Sequence, residues 1–230
     1  EYLQGETLAQ WLHRQEKPLN LDEILPILQQ TALALNAMHR LEMLHQDIRP
    51  ENIMVINAEN AMKIKLIDYG STAVRGLVEI NPKNANRPLG TLAFMAPEYF
   101  IDHSPSVHSD QFSLAVMAYY LFTKQLPYGT DLARCNSLKQ MKKVQYHSIR
   151  KYRPDLPIWL DKILGRALSI EPTHRFEALS ELIHNLMHPS KELLNSKPPA
   201  IIERDPLRFW QMSCAILGLL FLLSIAWPFI

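Results

Sequence analysis

Two carboxylates and a carboxamide, Asp47, Asn52 and Asp68, bracket a pair of short segments that lead into and out of a turn. The segments are Ile53–Ile56 and Met62–Leu66, and the second sets Met62, Ile64 and Leu66 against Lys63 and Lys65. Period-two alternation on either side of a turn, here Asn57–Asn60, predicts a β-hairpin. A hairpin closes its ends on each other, so Asn52 and Asp68 are drawn together, with Asp47 just upstream. Ahead of them, Asn20 and Glu23 have the spacing of a capping box. Ile24, Leu28, Thr31, Leu35 and Met38 then recur at helical spacing. Pro26 falls inside this helix and is expected to kink or restart it, because its ring collides with an earlier carbonyl.

The 230 residues are 47% hydrophobic and 20% charged, enough to bury a core and too apolar for a disordered chain. Lysine and arginine (24) nearly balance aspartate and glutamate (23), which argues against a dedicated nucleic-acid binder. Cys135 and Cys214 stand far apart, so no disulfide scaffold is expected and a reducing compartment fits better. The chain opens on Glu1 with no signal-like stretch behind it, and is expected to be part of a longer protein.

The last residues obey a different rule. Phe209 to Ile230 carries no charge, and Trp210 and Trp227 stand near its two ends. Met212 to Ile230, as a helix, would reach roughly 28 Å, about the hydrocarbon thickness of a bilayer. Lys191, Lys197, Arg204 and Arg208 all precede it, so the positive-inside bias keeps residues 1–208 in the cytoplasm. A single-pass membrane anchor over 209–230 is expected, at the inner membrane if the source is bacterial. Residues 189–208, rich in proline and charge, are expected to be a linker.

A carboxylate that orients a hydroxyl, beside an amide and a second carboxylate that hold magnesium, is what phosphoryl transfer requires. The wording around these residues carries a resemblance. His45-Gln46-Asp47 followed by Asn52 resembles the H-R-D-x-x-x-x-N catalytic loop of protein kinases, and Asp68-Tyr69-Gly70 resembles their D-F-G motif. Ala96-Pro97-Glu98 is the A-P-E motif unchanged. Glu1-Tyr2-Leu3 resembles the hinge between kinase lobes. Ser109 to Leu114 resembles the start of the central helix, and Pro172 to Arg175 the late arginine that pairs with Glu98. Finer phrasing, together with the terminal apolar helix, is similar to bacterial proteins in which a metal-dependent serine/threonine phosphatase precedes a membrane-tethered kinase.

The resemblance implies a mainly α fold with short β-hairpins: a protein-kinase-like large (C-terminal) lobe over 7–188, preceded by a hinge remnant at 1–6 and followed by one transmembrane helix. It implies ATP and Mg2+ (or Mn2+), a protein substrate, and an attached or cognate phosphatase as partner. Asp47 is expected to orient the substrate hydroxyl, and Asn52 and Asp68 to ligate the metal. Arg49 stands where a lysine usually touches the transferred phosphate, with Thr91 as its partner, a pairing that favours serine/threonine substrates. Arginine offers a planar fork in place of a point charge. Glu1 and Leu3 are expected at the adenine through their backbone, Met54 and Ile67 beneath it, and Glu6 at the ribose.

Several features depart from the family. No two of the seven glycines stand two apart, so there is no Gly-x-Gly-x-x-Gly loop, and no strand lysine precedes the hinge. This lobe alone should bind ATP poorly. Gln46 replaces the arginine that receives an activation-segment phosphate, and residues 73–90 contain no serine, threonine or tyrosine. Both predict a kinase that activation-segment phosphorylation does not switch on. Lys139, Lys142, Lys143, Arg150, Lys151 and Arg153 form a basic stretch that could meet anionic lipid or an acidic substrate. A pseudokinase that regulates an attached phosphatase is the competing function. The intact Asp47, Asn52 and Asp68 favour catalysis.

Overall fold

The computed structural model describes residues 4–58, 61–74, 92–101, 105–195 and 206–226. The chain divides into two compact units, Glu1–Leu194 and Asn195–Ile230. In the first, β1 (Glu6–Thr7) leads into α1 (Leu8–His13), α2 (Leu21–Arg40), β2 (Met43–Leu44), β3 (Ile53–Ala58), β4 (Ala61–Leu66) and β5 (Ala73–Val74). The helices α3 (Val107–Thr123), α4 (Leu138–Met141), α5 (Ile158–Ala167), α6 (Leu179–Met187) and α7 (Lys191–Leu194) follow.

The centre is α3. From Ser109 to Leu121 every residue except Tyr120 is buried, as befits a helix surrounded on all sides. Its Ser106–Ser109 capping box closes the N-terminus, and Lys124 ends it in the left-handed region at φ 54°. α2, α5 and α6 pack around it and each turns an apolar stripe inward, including Leu28, Leu35, Leu160, Leu164, Leu182 and Leu186.

α2 carries the expected capping box and buries the expected stripe, with Ile27 and Ala32 added to it. It does not break at Pro26, however, and runs unbroken from Leu21 to Arg40. The hydrogen bond that proline cannot make would have gone to the carbonyl of Asp22. Pro26 and Asp22 are both exposed, so water can satisfy that carbonyl and the helix continues.

The hairpin forms, longer than the alternation implied: β3 includes Asn57 and Ala58, β4 begins at Ala61, and Ala58 pairs with Ala61. Ile53 pairs with Leu66, Val55 with Ile64, and β1 adds a third antiparallel strand through Glu6–Val55 and Thr7–Met54. Gly5 sits where a Cβ would lie 2.4 Å from the Val55 carbonyl oxygen, so no side chain fits without moving the strand. β2 and β5 form a separate two-stranded ladder. α7 lies within the stretch that composition marks as linker, yet it packs against α5.

The second unit contains α8 (Pro206–Ala226). Leu207, Trp210, Met212, Ile216 and Leu217 on it are all more than half exposed. Among the described residues, no helix is long and apolar enough to cross a membrane. The expected anchor over 209–230 falls partly outside them, since residues 227–230 are not described.

Candidate active site

Asp47 lies in the loop between β2 and β3, and the structure surrounds it with fixed partners. Asn52, on a single 3₁₀ turn (Pro50–Asn52), donates from Nδ2 to the Asp47 carbonyl at 2.8 Å and to its Oδ2 at 3.0 Å. Arg49 Nε lies 3.7 Å from Asp47 Oδ1 and 3.8 Å from Glu51 Oε2. Ile48 and Pro50 are buried and pin the loop on either side of Arg49. Because Asn52 spends its NH2 group on Asp47, its amide oxygen remains the end available to a cation.

The hairpin brings the second carboxylate to the same place. Ile53 pairs with Leu66, and the Ile67 N–H donates to the Asn52 carbonyl at 3.0 Å, which sets Asp68 one residue beyond Asn52's neighbour. Asp68 adopts φ 63°, a conformation aspartate tolerates better than most side chains, and its Oδ1 accepts from the Gly70 N–H at 3.2 Å. An amide oxygen and an exposed carboxylate are hard donors of the kind that suits Mg2+, with phosphate and water completing the shell. The residues present therefore fit the metal the resemblance implies. Among the described residues, no cluster of three or more His, Cys, Asp or Glu could hold a metal ion without such help.

Beneath the loop, the buried carboxylate of Asp110 gathers three donors. The N–H groups of His45 and Gln46 lie 3.0 and 2.9 Å away, and His39 Nε2 lies 2.9 Å away. This explains how Gln46 holds φ 66°, a conformation that costs a non-glycine residue roughly 1–2 kcal/mol. The two amide bonds to the Asp110 side chain offset that cost. His45 is fully buried, and burial lowers its pKa despite the opposing pull of Asp110 and Asp47. Its ring is thus held neutral beneath the loop.

The A-P-E glutamate is anchored as the resemblance implies. Arg175 Nη1 and Nη2 donate to Glu98 Oε1 and Oε2 at 2.9 and 2.8 Å, and Ser109 Oγ donates to Oε1 at 2.7 Å. Arg175 also bonds the carbonyls of His108 and Ser169 and lies 4.8 Å from the Phe112 ring. Burial raises the Glu98 carboxyl, but Arg175 and Ser109 outweigh it and hold the pKa below the ordinary value. One buried cluster thus joins the turn at Glu98, the start of α3 and the approach to α6.

The remaining expected residues are placed unevenly. Met54 and Ile67 are half-buried, on β3 and just past β4. Glu6 pairs with Arg14. Glu1, Leu3, Thr91 and residues 75–90 lie outside the described residues. The basic stretch does not act as one patch. Lys142 pairs with Glu171, Arg153 bonds Asp155 and the carbonyls of Leu19 and Phe122, and Arg150 bonds the Leu156 carbonyl. Sequence reasoning missed His39. Nothing in its spacing marks it, because its role depends on an aspartate 71 residues away.

Residues 1–188 match the protein kinase domain family. Serine/threonine-protein kinase PrkC of Bacillus subtilis is 26% identical over 182 residues, which are 79% of this chain and 27% of that protein. Serine/threonine-protein kinase pkn3 of Myxococcus xanthus is 32% identical over 180 residues, 76% of this chain and 32% of that protein. The chain therefore spans about a third or less of these curated relatives. The crystal structure of the Mycobacterium tuberculosis PknI kinase domain is similar at a TM-score of 0.61 and 26% identity, over 81% of this chain and 63% of that chain. With its match covering both the catalytic loop and the buried cluster that supports it, the chain belongs to the protein kinase domain family.

Proposed function

We propose that this chain is the large lobe of a membrane-tethered serine/threonine protein kinase that transfers the ATP γ-phosphoryl group to a protein hydroxyl. The observation that carries the reading is the grip of Asn52 on Asp47, at 2.8 and 3.0 Å, with Asp68 delivered beside it by the hairpin. An isolated aspartate in a loop would swing between rotamers. This one is oriented before any substrate arrives.

Asp47 orients the acceptor hydroxyl and takes its proton as the new O–P bond forms and the bond from the γ-phosphorus to ADP breaks. Arg49 holds the transferred phosphoryl group from the side of Asp47. Asn52 and Asp68 would hold Mg2+, which when bound supplies charge neutralisation on the phosphates. Glu1 and Leu3 serve the adenine through their backbone, Met54 and Ile67 its apolar floor, Glu6 the ribose, and Thr91 partners Arg49. Glu6 would have to leave Arg14 to do so.

The membrane reading draws on the uncharged stretch from Phe209 and on the apolar side chains that α8 leaves exposed. A phosphatase attached upstream completes the proposal. Control does not run through activation-segment phosphorylation. Gln46 carries no charge, and Thr72 Oγ1 is buried without a partner among the described residues. Treating the purified protein with a phosphatase that is then removed should leave its rate unchanged, and a large loss would overturn this point.

The test of the central reading is transfer from radiolabelled ATP by the full-length protein with Mg2+, any attached phosphatase being inactivated. Label should appear on serine or threonine and fall by roughly 10²–10⁴-fold in Asp47→Asn. A folded protein that binds ATP yet transfers no label would be a regulatory pseudokinase.

A further inference from the structure

The strand that leads to Asp68 runs along the open edge of its sheet, where β4 has β3 on one side only. In an antiparallel pair, successive residues turn their N–H and C=O groups alternately toward the partner and away from it. Ile67 turns toward β3, since its N–H donates to the Asn52 carbonyl, so Met62, Ile64 and Leu66 turn away. Side chains close this edge in place of a strand. Gln30, from α2, donates to the Met62 carbonyl at 3.1 Å and accepts from the Ile64 N–H at 3.0 Å. The Leu66 carbonyl is taken instead by Tyr69, whose hydroxyl donates to it at 3.1 Å.

That bond closes a short ring of chain around Asp68. It runs from the Tyr69 side chain back to Leu66, three residues earlier, and so holds Ile67 and Asp68 between its ends. Asp68 sits at φ 63° and ψ 75°, a left-handed conformation that a non-glycine residue keeps only where its surroundings hold it. The same turn is held by the Gly70 N–H, which donates to Asp68 Oδ1 at 3.2 Å, and by the Thr72 N–H, which donates to the Tyr69 carbonyl at 3.0 Å. The ring of Tyr69 leans on that of His45, with centroids 5.7 Å apart, yet Tyr69 is 54% exposed. Packing therefore leaves much of the ring uncovered, and the hydroxyl fixes its direction. The D-F-G motif has phenylalanine at this position, which carries no such donor.

Resting on the kinase reading above, we infer that the Tyr69 hydroxyl is a positioning group for the metal site: it ties the turn that carries Asp68 to the edge of β4 and holds that carboxylate in place before a cation arrives. Tyr69 touches no reacting atom in this role. Its effect falls on metal affinity more than on the transfer step, because an untied Asp68 has to be ordered during binding.

The experiment compares the full-length wild type with Tyr69→Phe, which removes the hydroxyl and keeps the ring. Mn2+ is titrated into each in the presence of a non-hydrolysable ATP analogue, and the free ion is read by electron paramagnetic resonance. The variant should bind Mn2+ about two- to tenfold more weakly, the span of one net hydrogen bond. In transfer assays the Mg2+ concentration for half-maximal rate should rise by a similar factor, with a smaller change in kcat. Tyr128→Phe is the control, since it also removes a hydroxyl bonded to a backbone carbonyl, that of Leu168, in the buried core. It should lower the urea midpoint and leave Mn2+ affinity as it was. Equal Mn2+ affinity in wild type and Tyr69→Phe, an equal loss in Tyr128→Phe, or a fall in kcat with an unchanged Mg2+ requirement would each overturn the role of Tyr69 while leaving the kinase reading intact. A wild type that retains no Mn2+ with the nucleotide would instead strike the kinase reading. Hydrogen exchange over residues 67–72 of the metal-free protein then decides the tie by itself. Faster exchange in Tyr69→Phe supports it, and equal exchange rejects it.

Discussion

At the scale of single residues, the catalytic loop is governed by two buried ionic clusters that perform no chemistry. Asp110 fixes the amides of His45 and Gln46, and Glu98 with Arg175 ties the turn after the activation segment to the start of α3. A buried pair of this kind contributes little in net terms while both members are present, but losing one strands the other. Arg175→Met should therefore cost roughly 3–5 kcal/mol, seen as a fall in the urea midpoint. The pH dependence follows from the direction of the Glu98 shift. Its folded pKa lies below the ordinary 4.5, so its contribution is complete above that value and is lost as pH falls through the folded pKa. Stability measured from pH 6 down to pH 3 should drop more steeply in the wild type than in Glu98→Gln, and parallel curves would refute the assignment.

Among the elements, α2 and the hairpin divide the task of positioning the site. α2 delivers His39 to Asp110 from its last turn, and β3 and β4 deliver Asn52 and Asp68 through their register. A one-residue slip of that register would move Asp68 away from Asn52 and turn Val55 and Ile64 out of the core. α2 also holds a correctable flaw. Pro26 leaves the carbonyl of Asp22 without its helical donor on an exposed face, so Pro26→Ala should stabilise the protein by about 1–3 kcal/mol. A higher urea midpoint with an unchanged slope would show it, and a lower one would mean that the ring packs more usefully than its exposure implies.

Over the whole molecule, the proposed anchor rests on a terminal helix that leaves Leu207, Trp210, Met212, Ile216 and Leu217 exposed. Removing residues 209–230 should release the protein from sedimenting membranes into the soluble fraction while transfer to a small peptide persists, and a truncated form that still sediments would contradict the anchor. Much of this plan was legible in the chain. The α2 capping box and apolar stripe, the alternation of the hairpin, and the order Asp47, Asn52, Asp68, Glu98, Arg175 are local or ordered patterns that short-range physics writes into sequence. The hairpin's length was less legible, because Asn57 and Ala58 have turn-like composition and only pairing with Met62 and Ala61 makes them strand. The continuity of α2 was misjudged because propensity assigns proline a cost without knowing that the orphaned carbonyl faces water. The basic stretch looked uniform because sequence counts charges and cannot see which ones are consumed. By itself, then, the sequence determined most of the element pattern and the family. Tertiary structure alone decided that His39 serves Asp110, that Arg153 is spent on Leu19 and Phe122, and that Lys124 reaches the carbonyl of Gln15. These depend on contacts between residues 31 to 134 positions apart, which no local pattern encodes.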